Sequence, residues 1–285
     1  MIAIILFILM YVVMIAKTEW RLYAIWGVAV LFVLFGILQR NPLYWLSVIN
    51  WNVIMMIGGT MVIVYYFIES KMPNRLAEII LEKCPTVMWV IILMSLFAGA
   101  VSAFIDNVAT VLMIAPVGLA ICKKLKISPV SMLLAIAVSS NLQGAATLVG
   151  DTTSIMLGAY ANMNFMEFFF MHGKPGVFFA VELGALLTVP VMLFLFHDLN
   201  QPVEAEEKTR VEGIFPTIAL CGVVVCLIIA SFIPNTPSTI NGIICVVIAL
   251  LCMAVDFKMK KMPENIRKAI LSIDFETLCI LTGLF

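Results

Sequence analysis

"VSSNLQGAATLVGDTT", Val138 to Thr153, sits between apolar runs at 130–140 and 152–161. At a rise of 1.5 Å per residue each run reaches only about 16 Å, roughly half the hydrocarbon layer of a bilayer. Neither run spans a membrane alone, whereas together they make one crossing. That crossing is interrupted in its middle by Ser139, Ser140, Asn141, Gln143, Thr147, Asp151, Thr152 and Thr153. An interrupted helix leaves amide N–H groups and carbonyls unpaired. Inside a membrane this is tolerated only where protein or a water-filled cavity receives them. The stretch therefore predicts a broken helix over 130–161 that faces a polar site.

The rest of the chain is apolar enough to enclose such a site. Of its 285 residues 63% are hydrophobic and 12% charged, with a mean hydropathy of +1.12. A soluble domain carries roughly 25% charged residues, so the composition predicts an all-α integral membrane protein. Formal net charge is zero, which gives a nucleic-acid partner no footing. Apolar runs predict spans at 2–16, 22–38, 53–68, 175–196, 214–233 and 240–255. The segment 86–122 reads as two full spans, with Asp106 in an outer loop, or as a re-entrant hairpin, which the fifteen-residue run 108–122 with Pro116 and Gly118 favours. The first charge, Lys17, follows the first apolar run, so that run is expected to be a retained span rather than a cleaved leader.

Loop charges orient the chain. "KTEWR" (17–21), "ESKMPNRLAEIILEKCP" (69–85), "KKLK" (123–126) and "KMKKMPENIRK" (258–268) are basic, and "PNTPST" (234–239) has no charge. Basic loops favour the cytoplasm, which places the N-terminus, Arg40 and "PNTPST" outside and the mixed-charge loop 197–213 inside. Residues 70–83 alternate charged and apolar groups at helical spacing and predict an amphipathic helix on the cytoplasmic surface.

An internal repeat sets the architecture. "INWNVIMMIGGTM" (49–61) aligns without gaps on "IDFETLCILTGLF" (273–285), with Ile on Ile, Trp51 on Phe275 and Gly59 on Gly283. The topology makes the two copies enter from opposite sides, the pattern of inverted-repeat secondary transporters. Residues 1–256 are then expected to form the first half of a membrane domain. A basic linker follows over 257–272, and the start of a second inverted repeat over 273–285. On this reading the site needs a second half of the fold.

Two polar interruptions carry the chemistry. "VSAFIDNVATVLMIAPVGLAICKK" (101–124) places Asp106 and Asn107 at the tip of the hairpin. An aspartate at the bilayer centre costs about 2.5–3.5 kcal/mol on insertion scales, so Asp106 and Asp151 should face a cavity. Each also stands where it would cap the helix that follows. Capping and ion binding need the same geometry, so both readings stay open. Ser140, Asn141, Gln143, Thr147, Thr152 and Thr153 offer neutral oxygens suited to a hard cation, and Gly144 and Gly150 permit close backbone approach. Candidate ion- and substrate-binding residues are Ser102, Asp106, Asn107, Thr110, Ser140, Asn141, Gln143, Gly144, Thr147, Gly150, Asp151, Thr152 and Thr153. Within them Asp106, Asn107, Ser140 and Asn141 form a candidate sodium site.

"SAFIDNVATVLMIAPV" followed by "SSNLQGAATLVGDTTSIMLG" resembles the ion transporter superfamily of arsenite permeases, sodium–proton antiporters, the P protein and divalent-anion–sodium symporters. The resemblance covers roughly 49–196. It implies two inverted repeats, each with a re-entrant hairpin and a broken helix, elevator-like transport and a homodimer. Asp106, Asn107 and Val108 fall where carboxylate symporters read Ser-Asn-Thr, and this Asp-Asn form is closer to the arsenite-permease and antiporter branch. Ser140 and Asn141 match the family's Ser-Asn at the break, but of the two glycines that follow only Gly144 is kept. Gly150, Asp151, Thr152, Thr153 and Ser154 stand where the family often has Gly-Asp-Pro-Pro-Asn, nearer the sodium–proton antiporters.

The expected function is sodium- or proton-coupled secondary transport of a small anion, such as a carboxylate, across the inner (cytoplasmic) membrane. Sodium–proton antiport and arsenite efflux are the alternatives. No cofactor beyond the coupling ion is expected, and the partners are lipid and the transported solute. The seven cysteines (84, 122, 221, 226, 245, 252, 279) show no CxxC spacing and read as small hydrophobes. An intramembrane aspartyl protease fits poorly, because Leu148 stands where its glycine is wanted and Ile105 where its aromatic is. Glu182, inside the run 175–196, is read evenly as a proton carrier or a helix–helix contact. Glu167, in "NMNFMEFFFMHGK", is assigned to an interfacial helix, and His172 and His197 to solvated span ends.

Overall fold

Apolar runs and their caps set the helices of the computed structural model, which describes residues 2–125, 127–202, 210–233, 237–260 and 263–285. In chain order they are α1 (Ile2–Ala16), α2 (Arg21–Leu34), α3 (Pro42–Val48), α4 (Trp51–Glu69), α5 (Met72–Lys83), α6 (Val87–Ser102) and α7 (Asn107–Leu125). After them come α8 (Val130–Gly144), α9 (Thr152–Ala161), α10 (Val177–Leu195), α11 (Phe215–Ser231), α12 (Ile240–Lys260), α13 (Pro263–Leu271) and α14 (Phe275–Leu284). Among the described residues α4, α10 and Ile240–Met259 of α12 are long and apolar enough to cross a membrane. The outer face of α10 carries exposed Leu183, Leu186, Leu187 and Phe194, as a lipid-facing helix requires. The chain is a mostly helical integral membrane protein.

Two apolar cores flank the polar interruptions. One gathers α4, α9, α11 and α12 around Phe165 and Phe168, and the other gathers α5, α6, α7 and α8. The break between α8 and α9 is anchored in the first core by Leu148 and Val149, and the α6–α7 tip in the second by Ile105. A smaller cluster joins α1 to α2.

The two segments aligned in the sequence, 49–61 and 273–285, each pack along another helix. α4 lies along α12, and α14 lies along α2. A Cβ on Gly59 would meet the Cys245 carbonyl carbon at 2.7 Å, and a Cβ on Gly283 would meet Ile25 Cγ2 at 2.6 Å. Each segment also begins with the same cap. Asn50 Oδ1 accepts from the Val53 N–H at 3.3 Å, and Asp274 Oδ1 accepts from the Thr277 N–H at 3.0 Å.

Several expectations differ from what is found. α2 stops four residues short of 38, because Gly36 at φ +69° closes it with Ile37 N–H bonded to the Phe32 carbonyl at 2.9 Å. The fold is not purely α. "NMNFMEFFFMHGK" is a single tight turn over Phe165–Phe168 followed by an antiparallel pair, β1 (Phe170–Met171) and β2 (Lys174–Pro175), rather than an interfacial helix. His172 at φ +50° and Gly173 at φ +75° form the reversal, since two left-handed residues match the twist of a hairpin. Glu167 accepts from the Asn164 N–H at 2.6 Å in a reciprocal cap, which ties it to its own turn. Much of the stretch expected as a linker is helical, in the end of α12 and in α13. Parts of the loops used for orientation, at 126, 203–209, 234–236 and 261–262, lie outside the described residues.

Candidate functional site

Two helix ends meet inside the fold. α6 ends at Ser102, residues 103–105 turn, and α7 starts at Asn107; α8 ends at Gly144 and α9 starts at Thr152. Asp106 caps α7, with Oδ2 accepting from the Ala109 N–H at 3.0 Å. Asp151 caps α9, with Oδ1 accepting from the Thr152 N–H at 2.7 Å and Oδ2 from the Thr153 hydroxyl at 2.8 Å. Both carboxylates therefore sit at helix N-termini, where the amide dipoles favour negative charge.

Side chains tie the two interruptions together. Asn107 Nδ2 donates to Asn141 Oδ1 at 2.8 Å, and the Ser140 hydroxyl donates to the Asn107 carbonyl at 3.1 Å. The Thr147 hydroxyl donates to the Ala103 carbonyl. Gly150 closes the contact: a Cβ there would lie 2.5 Å from the Gly144 oxygen, 2.6 Å from that of Ser102 and 2.7 Å from that of Ala103. Three carbonyl oxygens from two helix ends thus converge on one glycine.

A cavity of about 530 Å³ opens beside this junction. Of the residues singled out in the sequence, Asp106, Asn107, Gly150, Asp151 and Thr152 line it. Ser140, Asn141, Gly144 and Thr147 hold the junction from behind, since a Cβ on Gly144 would stand 3.6 Å from Asp151 Cβ and 3.7 Å from Asn107 Cβ. Gln143 lies elsewhere: it is buried against Gly99 and bonded to Ser139, in the α6–α8 crossing. Thr153 is bonded to Asp151 and does not line the cavity. Ser102 and Thr110 are fully buried, and each hydroxyl has no hydrogen-bond partner among the described residues.

The cavity also recruits residues outside the candidate set read from the sequence. Thr60, Met61, Tyr65 and Ile68 of α4 form one wall, and Ser272, Asp274 and Thr277 another. Three carboxylates, Asp106, Asp151 and Asp274, therefore share one space whose described lining contains no Lys or Arg. The repeat alignment carried the signal for Asp274, because it sits on the capping Asn50 of the first copy.

The family profile described as citrate transporter, CitMHS, matches residues 3–285. An uncharacterised transporter of Mycobacterium tuberculosis is 30% identical over 245 residues, covering 83% of this chain and 54% of its own length. A Dictyostelium discoideum protein carrying the transporter name arsB is 26% identical over 172 residues, 60% of this chain and 30% of its own. The P protein of Homo sapiens is 28% identical over 149 residues, 52% of this chain and 18% of its own. The chain spans about half the length of the first of these relatives.

Proposed function

The chain belongs to the CitMHS citrate transporter family, and from that premise we propose that it takes part in moving a small carboxylate across the membrane, driven by sodium or protons held at the facing helix breaks. The observation that carries this reading is the junction itself. Two helix breaks put Asn107 and two capping carboxylates on one cavity, with Asn141 bonded to Asn107 behind it. Bared dipoles and oxygens at discontinuous helices are how membrane transporters hold ions. The basic loops orient the protein in the cytoplasmic membrane, with the acidic cavity toward the cytoplasm. The packing of α4 on α12 and α14 on α2 supports an inverted repeat. A counterpart hairpin and break completes the site, and the working assembly is a homodimer.

A second reading, sodium–proton antiport, is favoured by one observation: the described cavity lining carries three aspartates and no cationic side chain. The full-length protein in proteoliposomes separates the two. Labelled citrate and smaller di- and tricarboxylates are offered under an imposed sodium or proton gradient. Gradient-dependent uptake, weakened in Asn107→Ala, supports carboxylate symport. Sodium–proton exchange indifferent to every carboxylate establishes antiport instead. Neither activity, in protein shown to be folded, refutes both.

A further inference from the structure

A second cavity, of about 420 Å³, lies at the other end of α4. It is lined by Asn50, Asn52, Asn162, Asn164, Ser238 and Asn241 among others, and its described lining contains no charged side chain. From Asn50 to Tyr65 along α4 is about 22 Å at 1.5 Å per residue, so the two cavities open toward opposite faces. Ile155 lines both and stands between them.

Asn50 and Asp274 occupy equivalent places in this arrangement. They align in the repeat, and each caps its helix through the N–H three residues on. Each lines the cavity at its own end, Asn50 the neutral one and Asp274 the acidic one. An amide caps a helix about as well as a carboxylate, so capping does not require a charge at position 274. Thr277 holds that carboxylate, donating from its hydroxyl to Oδ2 at 2.6 Å. Arg21 also acts on Asp274, but its guanidinium is committed to Glu276 at 2.7 Å. Asp274 and Asp106 line the same cavity.

We infer that Asp274 makes the two mouths of the pathway electrostatically unequal, raising cation affinity on its own side while its neutral counterpart Asn50 leaves the other side unassisted. Asp274 is thus a positioning residue for the cation rather than one of its ligands. This rests on the cation-coupled reading above. A unit charge removed at roughly 10 Å in water changes the local concentration of a monovalent ion about twofold. The ratio of cation to anion then changes about fourfold, and more where the walls lower the dielectric.

The test measures that ratio directly in the full-length protein in membranes. Cys221, Cys226 and Cys279 are replaced by alanine, and single reporters are placed as Ser272→Cys at the acidic mouth or Ser238→Cys at the neutral one. Rates of modification by cationic and anionic methanethiosulfonates are compared at low salt. Asp274→Asn, which keeps the cap, should lower the cation-to-anion ratio about fourfold at position 272 and leave position 238 unchanged. Asp274→Glu should retain the ratio, and Asn50→Asp should raise it at position 238. An unchanged ratio at position 272 in Asp274→Asn overturns the inference, whatever the protein transports. In proteoliposomes, Asp274→Asn should raise the half-saturating cation concentration on the Asp274 side alone. A shifted labelling ratio without gradient-driven flux, in wild type as in the variants, sustains the asymmetry and removes the transport reading.

Discussion

Replacing Gly150 by alanine should force the two helix breaks apart. The backbone at Gly150 has a negative φ, so the strain comes from space and not from conformation. Its Cβ would stand 2.5, 2.6 and 2.7 Å from the carbonyl oxygens of Gly144, Ser102 and Ala103. Ordinary non-bonded contact lies at roughly 3.5 Å, so about 1 Å of movement is needed against three backbone groups at once. Overpacking costs about 1–3 kcal/mol where side chains can yield. Here only main chain is available, which puts Gly150→Ala near the top of that range, at about 3 kcal/mol. For a chain this long that corresponds to a melting temperature lower by roughly 6–12 °C. The displaced oxygens belong to the ends of α6 and α8, so the Thr147–Ala103 and Asn107–Asn141 bonds should weaken together and transport should fall. The assay pairs thermal unfolding in detergent with gradient-driven flux. Gly222→Ala, with nothing within 4 Å of its Cβ, serves as the control. It should be neutral or stabilising by up to about 1 kcal/mol, since alanine is the better helix former. Wild-type melting and wild-type flux in Gly150→Ala would refute the packing argument.

Asp151→Ala should lose the cap on α9 and cost about 0.5–2 kcal/mol, whereas Asp151→Asn should keep the melting temperature and change only the cation dependence of transport. A double-mutant cycle on Asn107→Ala and Asn141→Ala should return a coupling energy of about 0.5–1.5 kcal/mol; additivity would show that the hydrogen bond between them does not hold the junction. The ammonium of Lys71, in its exposed turn, is held above its ordinary pKa by the hydrogen bond to Glu212. A raised pKa means that its contribution is complete at lower pH and fades only as the solution passes that raised value. The difference in stability between wild type and Lys71→Met should therefore stay constant from neutral pH to pH of about 9.

The interruption at the centre of the fold was legible because length is decisive: neither 130–140 nor 152–161 can cross hydrocarbon alone. Asp106 and Asp151 could be named for the same reason, as charges that must turn inward. What sequence could not show was which polar groups face the cavity and which are consumed in holding it. Gln143 looked like a ligand and instead fills the notch left by Gly99. Thr147 spends its hydroxyl on a carbonyl across the junction. The reading of "NMNFMEFFFMHGK" as a helix followed its aromatic density and overlooked His172–Gly173, where two left-handed residues reverse the chain. Asp274 escaped notice because it was weighed only as one position in a repeat. Its place on the cavity depends on α14 lying against α2 and α4, a tertiary fact.

Ile155, shared by both cavities, has a consequence for membrane voltage. Where conducting solution reaches in from each face, the potential drops across whatever insulates the two pools, and Ile155 belongs to that wall. A charge that crosses this wall feels the part of the field concentrated there, worth up to about 2.3 kcal/mol per elementary charge at 100 mV. The proposed transport should accordingly depend on voltage if it carries net charge across that wall, which flux measured under an imposed potential checks.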